Sequence, residues 1–178
     1  MGYIQTKQSL ANKRSRCKLK HFTEEQYAVG SDAEKRFASH LSNVVWSTKE
    51  QDMIEHWDVK GILPIINNQE LKFDVKAIKN VIKFPNQDEC TWVEGTNVMG
   101  DHGWIKGDAD YIVFEKEEIW FIVSRKELLD MTIQKLKDNN YKTGSGIYII
   151  HQRPNKKDRI TLVPFKDMKT ITHYELTK

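Results

Sequence analysis

The chain has 178 residues, a net charge of +3, and 39% hydrophobic and 30% charged residues, the make-up of one soluble globular domain whose core needs no metal or disulfide staple. No run of about 18 apolar residues occurs, which excludes a membrane-spanning helix, and Met1 to Leu10 lacks the apolar centre of a secretory signal, so a cytoplasmic protein is expected. Cys17 and Cys90, with no CxxC or HxxxH spacing, support neither a disulfide framework nor a zinc site.

Residues 1–22 read as a basic arm: Lys7, Lys13, Arg14, Arg16, Lys18 and Lys20 fall in a first twenty residues without an acid. Such an arm can lie along phosphates and release counterions, with Lys13, Arg14 and Arg16 as its candidate DNA contacts, or it can be a plain solvated terminus. Residues 23–178 are expected to form a single domain. A short helix from Thr23 should end at Gly30, and a second helix is predicted over Ser31 to Asn43, with Ser31 as N-cap. Glu34 then completes an S-x-x-E capping box. Phe37, Leu41 and Val44 or Val45 supply its buried stripe, and Trp46 to Met53 reads as a polar connector.

From Glu55 to Lys79 the chain reads EHWDVKGILPIINNQELKFDVKAIK, two apolar runs about an Asn67-Asn68 turn signal, which predicts a β-hairpin. Both arms carry ionisable residues: Asp58 in the first, Asp74 and Lys76 in the second. Residues i and i+2 of a strand share a face, so Asp74 and Lys76 project together, and the partner arm can bring Asp58 to them. For that, paired residue numbers must sum to an even value. A two-residue Asn67-Asn68 turn gives an odd sum, so a three- or five-residue loop, or a β-bulge, is expected between Gly61 and Lys72. Two close carboxylates repel unless a cation lies between them, and hard oxygen ligands suit Mg²⁺, with Mn²⁺ as the variant. An adjacent ammonium can orient water or offset charge on a phosphate, a set suited to phosphodiester hydrolysis. An ordinary Asp74–Lys76 ion pair on a solvated strand is the competing explanation. Asp52 competes with Asp58 as the first acid, and His56 would share the Asp58 face by alternation.

A strand is predicted over Cys90 to Gly95, with Glu94 a further candidate at the site. The next segment, GTNVMGDHGWIKGDAD, holds four glycines but fits neither G-x-G-x-x-G nor G-x-x-x-x-G-K-[ST], so no nucleotide or other organic cofactor is expected. It reads as a close-approach loop beside the hairpin, offering Trp104 for stacking and Lys106 for a phosphate, or burying Trp104 structurally. Two apolar strands follow, Asp110 to Glu115 and Ile119 to Ser124, suited to the middle of a sheet. Then come a helix over Arg125 to Asn139 with Leu128, Leu129, Ile133 and Leu136 inward, strands over Gly146 to His151 and Arg159 to Val163, a short helix over Phe165 to Ile171, and a polar tail. The basic turn Arg153 to Lys157 is a second candidate DNA contact, or simply a solvated hairpin. The order of elements predicts an α/β fold, a mixed central sheet flanked by helices.

Taken in order, Glu34 on a helix, Asp58 on the first hairpin arm and Asp74-Val75-Lys76 on the second, the chain resembles the PD-(D/E)xK nuclease superfamily from about Gly30 to Met131. Trp57 stands where the superfamily's name has proline. The resemblance implies a restriction-endonuclease-like α/β/α core and Mg²⁺-dependent hydrolysis of DNA. It also implies that Asp58, Asp74, the Val75 carbonyl and Glu34 hold the metal while Lys76 activates or orients water. Small junction resolvases and phage endonucleases share these elements, and many such enzymes pair as homodimers. Two rival readings stand beside it. One is a nucleic-acid-binding protein on the same scaffold without turnover. The other is an interaction or inhibitor protein anchored by Trp46, Trp92 and Trp104.

Overall fold

The computed structural model describes residues 24–79 and 86–178. The arm residues Lys13, Arg14 and Arg16 lie outside the described residues. Helices α1 (Glu24–Ala38), α2 (Lys49–Glu55), α3 (Arg125–Asp138) and α4 (Phe165–Met168) alternate with strands β1 (Ser42–Trp46), β2 (Val59–Ile62), β3 (Glu70–Lys76), β4 (Cys90–Thr96), β5 (Tyr111–Glu115), β6 (Ile119–Ser124), β7 (Arg159–Pro164) and β8 (His173–Thr177). Six strands form one mixed sheet in the order β1-β2-β3-β5-β6-β8, and β4 pairs with β7 in a separate two-stranded ribbon. Only β3 and β5 run parallel within the large sheet. The protein is thus an α/β fold with a mixed central sheet flanked by helices.

The central strands are apolar on both faces because both faces are covered. On β5 and β6, Val113, Trp120 and Ile122 turn toward α1, where Ala33, Phe37, Phe73 and Val75 complete one core. Ile112, Phe114, Phe121 and Val123 turn the other way, against Leu128 of α3, Phe165 and Met168 of α4, and Val93 and Val163 of the ribbon. Aromatic edges interlock in both layers: Phe37 lies 5.2 Å from Phe73 and 5.4 Å from Trp120, and Phe165 lies 5.4 Å from Phe114.

Several local expectations are corrected. Gly30 and Ser31 lie inside one continuous helix, so Ser31 is no N-cap and Glu34 belongs to no capping box. A mid-helix glycine costs only about 1 kcal/mol, less than burying Ala33 and Phe37 returns. The helix stops at Ala38, and Val44 and Val45, read as buried, are 38% and 47% exposed on the edge strand β1. Strand β1 occupies the end of the predicted helix and the residues up to Trp46, and the expected polar connector after it holds most of α2, which Thr48 and Gln51 start with a reciprocal capping box. Ile133 of α3 is exposed, its inward place taken by Thr132. Residues 146–151 make isolated bridges rather than a strand, because Gly146 and Tyr148 adopt positive φ, at 133° and 54°. The polar tail is β8, which pairs with β6 and packs Tyr174 and Leu176 on the α1 side. Its alternation is a period-two pattern partnered from outside.

Candidate active site

The hairpin register decides the geometry. Val59 pairs with Phe73, Lys60 with Lys72 and Gly61 with Leu71, so the paired numbers share the even sum that the same-face condition requires. The loop is longer than expected: the seven residues 63–69 join the strands. Asn67 turns the chain through its side chain, which accepts the Gln69 amide at 2.9 Å. Asp58 sits one residue before β2 and continues the ladder. Its N–H donates to the Phe73 carbonyl at 2.9 Å, and its carbonyl accepts from the Ser47 amide at 2.9 Å. Both flanks of its backbone are therefore fixed.

Asp58, Asp74 and Lys76 converge on the face opposite α1. The Asp58 Oδ2 accepts the Val75 amide at 2.6 Å. In an extended strand the N–H and C=O of one residue point to the same edge, so the Val75 carbonyl is presented on the Asp58 side. Lys76 Nζ lies 2.6 Å from Asp74 Oδ1 and 5.0 Å from the centre of the Trp104 ring, a cation–π wall that holds the ammonium over the acids. Asp74 is 2% exposed. Its second oxygen, Oδ2, is buried without a hydrogen-bond partner among the described residues, a position that costs about 1–3 kcal/mol, and more when the group is charged.

Electrostatics point the same way. Burial, then the Asp74 charge, pushes the Asp58 carboxyl well above the ordinary carboxylate range, with Lys76 and the Val75 amide only partly offsetting it. Glu34, half-buried on α1, is raised by burial and by Asp52, and feels Lys76 and Asp74. Burial alone would lower the Lys76 ammonium; the Asp74 and Asp58 charges outweigh it, and its pKa lies above the ordinary lysine value. Glu94 on β4 is raised by burial while Lys76 and Arg153 pull it down. Asp58, Asp74, Glu34 and Glu94 outnumber the amines Lys76 and Lys79 among them, a balance that favours protons or a further cation.

Among the described residues, no three His, Cys, Asp or Glu side chains are gathered tightly enough to cage a metal ion by themselves. Mg²⁺ needs no such cage, since it keeps several waters and is bound through one or two carboxylates. Asp58 and Asp74 with the unpartnered Asp74 Oδ2 fit that demand, while Glu34 lies within electrostatic reach but outside any such cage.

The remaining candidates separate. His56 is not on a strand: it ends α2 in the left-handed conformation at φ 54°, its Nε2 3.2 Å from the His102 carbonyl. Alternation therefore does not carry it to Asp58. Asp52 is exposed on α2, on the Glu34 side of the cluster. Trp104 begins a 3₁₀ turn over Trp104–Lys106, its ring half-buried against Phe114 and under Lys76, while Lys106 is exposed beside it. The glycine-rich segment does approach closely: a Cβ at Gly103 would collide with the Glu94 carbonyl, and one at Gly107 with the Glu55 carbonyl. Two features escaped sequence reasoning. Glu55 accepts both the Trp57 indole N–H at 2.7 Å and Lys72 Nζ at 2.9 Å, setting the segment that leads into Asp58. The second is the partner of Arg153 in the basic turn: the guanidinium is anchored to the fully buried Asp158, whose being the single acid in that stretch was the available signal. Of the three tryptophans read as interface anchors, Trp46 is 46% exposed, whereas Trp92 and Trp104 are half-buried.

No helix among the described residues is long and apolar enough to cross a membrane. Comparison with protein-family models, with curated proteins and with solved structures returns no match.

Proposed function

We propose that the protein is a Mg²⁺-dependent endonuclease of the PD-(D/E)xK type with a restriction-endonuclease-like core, hydrolysing DNA phosphodiesters. The observation that carries this reading is the buried, unpartnered Asp74 Oδ2 beside Asp58 and Lys76 on one strand face. Asp58 and Asp74 would hold the metal, helped by the Val75 carbonyl. When bound, Mg²⁺ (or Mn²⁺) supplies Lewis-acid charge at the phosphate and lowers the pKa of water. Lys76, held above Asp74 and against Trp104, orients the attacking water and offsets charge developing on the phosphate. Glu34, half-buried on α1 and within electrostatic reach of Lys76 and Asp74, would hold the metal's water.

Purified protein with Mg²⁺ should nick or degrade DNA, and Asp74→Ala or Lys76→Ala should abolish this while the far-ultraviolet circular dichroism stays unchanged. Cleavage undiminished in both variants would remove these residues from the mechanism. The rival reading, nucleic-acid binding without turnover, predicts salt-sensitive association indifferent to divalent ions. An interaction role draws on the apolar edge of β1, where Val44, Val45 and Trp46 are exposed and, among the described residues, no strand pairs on the outer side. A homodimer across that edge is compatible with cutting two strands, and a concentration-dependent mass in solution tests it.

A further inference from the structure

The outer face of the β4–β7 ribbon is unlike a solvated surface. Thr91, Val93, Thr161 and Val163 turn inward and are buried, leaving Trp92, Glu94, Ile160 and Leu162 on the other side, all half-buried. His151 pairs with Ile160 and brings its ring to 5.5 Å from that of Trp92, tilted by 42°. Beside this pair opens a cavity of about 680 Å³ lined by Tyr141, Thr143, Ser145, His151, Gln152 and Arg159.

The cavity is walled by a loop that holds several residues in left-handed backbone. Asn140, Tyr141 and Tyr148 adopt left-handed backbone with φ of 52°, 50° and 54°, a state that costs non-glycine residues on the order of 1–3 kcal/mol each. The loop is pinned by the Asn139 Nδ2 donating to the Tyr148 carbonyl at 3.2 Å and by the Tyr148 hydroxyl donating to Asp167 at 2.7 Å. Nothing in the proposed hydrolysis uses this loop.

Charge and position suggest its occupant. Lys142, Arg153, Lys156, Lys157 and Arg159 lie on β7 and the segment leading into it, where Asp158, the lone acid between residues 142 and 159, is buried and tied to Arg153. Glu94, two residues from Trp92 on the same side of β4, couples this face electrostatically to the candidate active site, feeling Lys76 and Asp74 as well as Arg153. Aromatic rings in a cationic groove stack on bases, and a base inside a duplex has no free face to offer.

We propose that the Trp92–His151 pair and the Arg159 cavity hold an unpaired base and its phosphate, making single-stranded or frayed nucleic acid the preferred substrate of the site at Asp58, Asp74 and Lys76. This rests on the nuclease reading for its consequence in catalysis, but not for its binding. Trp92 and His151 supply the stacking surface. Arg159 meets the phosphate, and Gln152 and Thr143 can hydrogen-bond to base edges without demanding one base.

The test measures fluorescence anisotropy of a labelled single-stranded oligodeoxynucleotide and of a blunt duplex of equal length, in EDTA, with wild type, Trp92→Ala, Trp92→Phe and Arg159→Ala. The single strand is expected to bind more tightly than the duplex. Trp92→Ala and Arg159→Ala should each weaken it about tenfold, and Trp92→Phe should retain most of the affinity. Arg159 is exposed, so its variant keeps the test decisive if Trp92→Ala fails to fold. Equal binding by all variants, equal affinity for duplex, or displacement by a mononucleotide at the oligonucleotide's own affinity would overturn the proposal. The same proteins assayed with Mg²⁺ separate the two readings. Binding losses without any wild-type cleavage would leave the platform standing and the nuclease reading fallen; cleavage of the single strand unchanged in both alanine variants would do the reverse.

Discussion

Replacing Asp74 by asparagine tests the central feature of the site, because the amide keeps the shape and removes the charge. The Lys76 contact at 2.6 Å survives as a charge-to-neutral hydrogen bond, a loss of about 1 kcal/mol relative to the charge-assisted one. In place of the unpartnered Oδ2 comes an uncharged NH₂ group, which lightens the penalty of about 1–3 kcal/mol, larger for a charge, on an unmet buried polar atom. The net expectation for the metal-free protein is between no change and about 2 kcal/mol of stabilisation, a rise of up to several degrees in Tm for a chain of this size. Mg²⁺ reverses the order. At about one hundred times its Kd, a ligand bound only by the folded state adds about 2.7 kcal/mol, and wild type should gain this while Asp74→Asn does not. Differential scanning fluorimetry in EDTA and in Mg²⁺ reads both arms, with cleavage assayed in parallel. A variant less stable than wild type by the same margin in both conditions, with wild type indifferent to Mg²⁺ and Mn²⁺, would refute the reasoning.

The pH dependence has a definite sign. Burial, reinforced by Asp74, raises the Asp58 carboxyl, so its contribution to stability is full below the unfolded pKa of about 4 and is lost as pH rises through the folded value. Urea midpoints in EDTA should therefore show Asp58→Asn gaining on wild type as pH rises from about 4 toward 8; a constant gap would contradict this. Glu115 has the opposite sign: despite its burial, Arg36, the Ile78 amide and Lys178 hold its carboxyl below the ordinary range. Arg36→Ala should accordingly destabilise the protein at neutral pH and lose that deficit as acid protonates Glu115. Gly103→Ala should lower stability by about 3 kcal/mol through backbone collision at Glu94, and Trp104 fluorescence should shift as its contact with Lys76 is disturbed.

Local chemistry in the sequence was sufficient for much of this protein. The apolar runs of β5 and β6 announce strands covered on both faces, and the i, i+2 spacing of Asp74 and Lys76 puts them side by side whatever their surroundings. The parity of the hairpin register follows from requiring Asp58 on that face, and the strands do pair with an even sum. These are properties of strand geometry, carried by residues a few positions apart. Loop length was not among them, because seven residues and three satisfy the same parity.

What only the tertiary structure decided depends on partners far along the chain. Gly30 stops no helix because Phe37 has Phe73 and Trp120 to bury against, and the tail becomes β8 because β6 offers it an edge. Asp74 cannot be told from a solvated ion pair by its neighbours in sequence; its 2% exposure and its buried, unpartnered oxygen are products of the folded surroundings. Likewise Trp92 and His151, 59 positions apart by their numbers, meet only across β7. Periodicity encodes which face a side chain takes, whereas the identity of whatever covers that face is set by long-range packing, and the proposed chemistry resides in that covering.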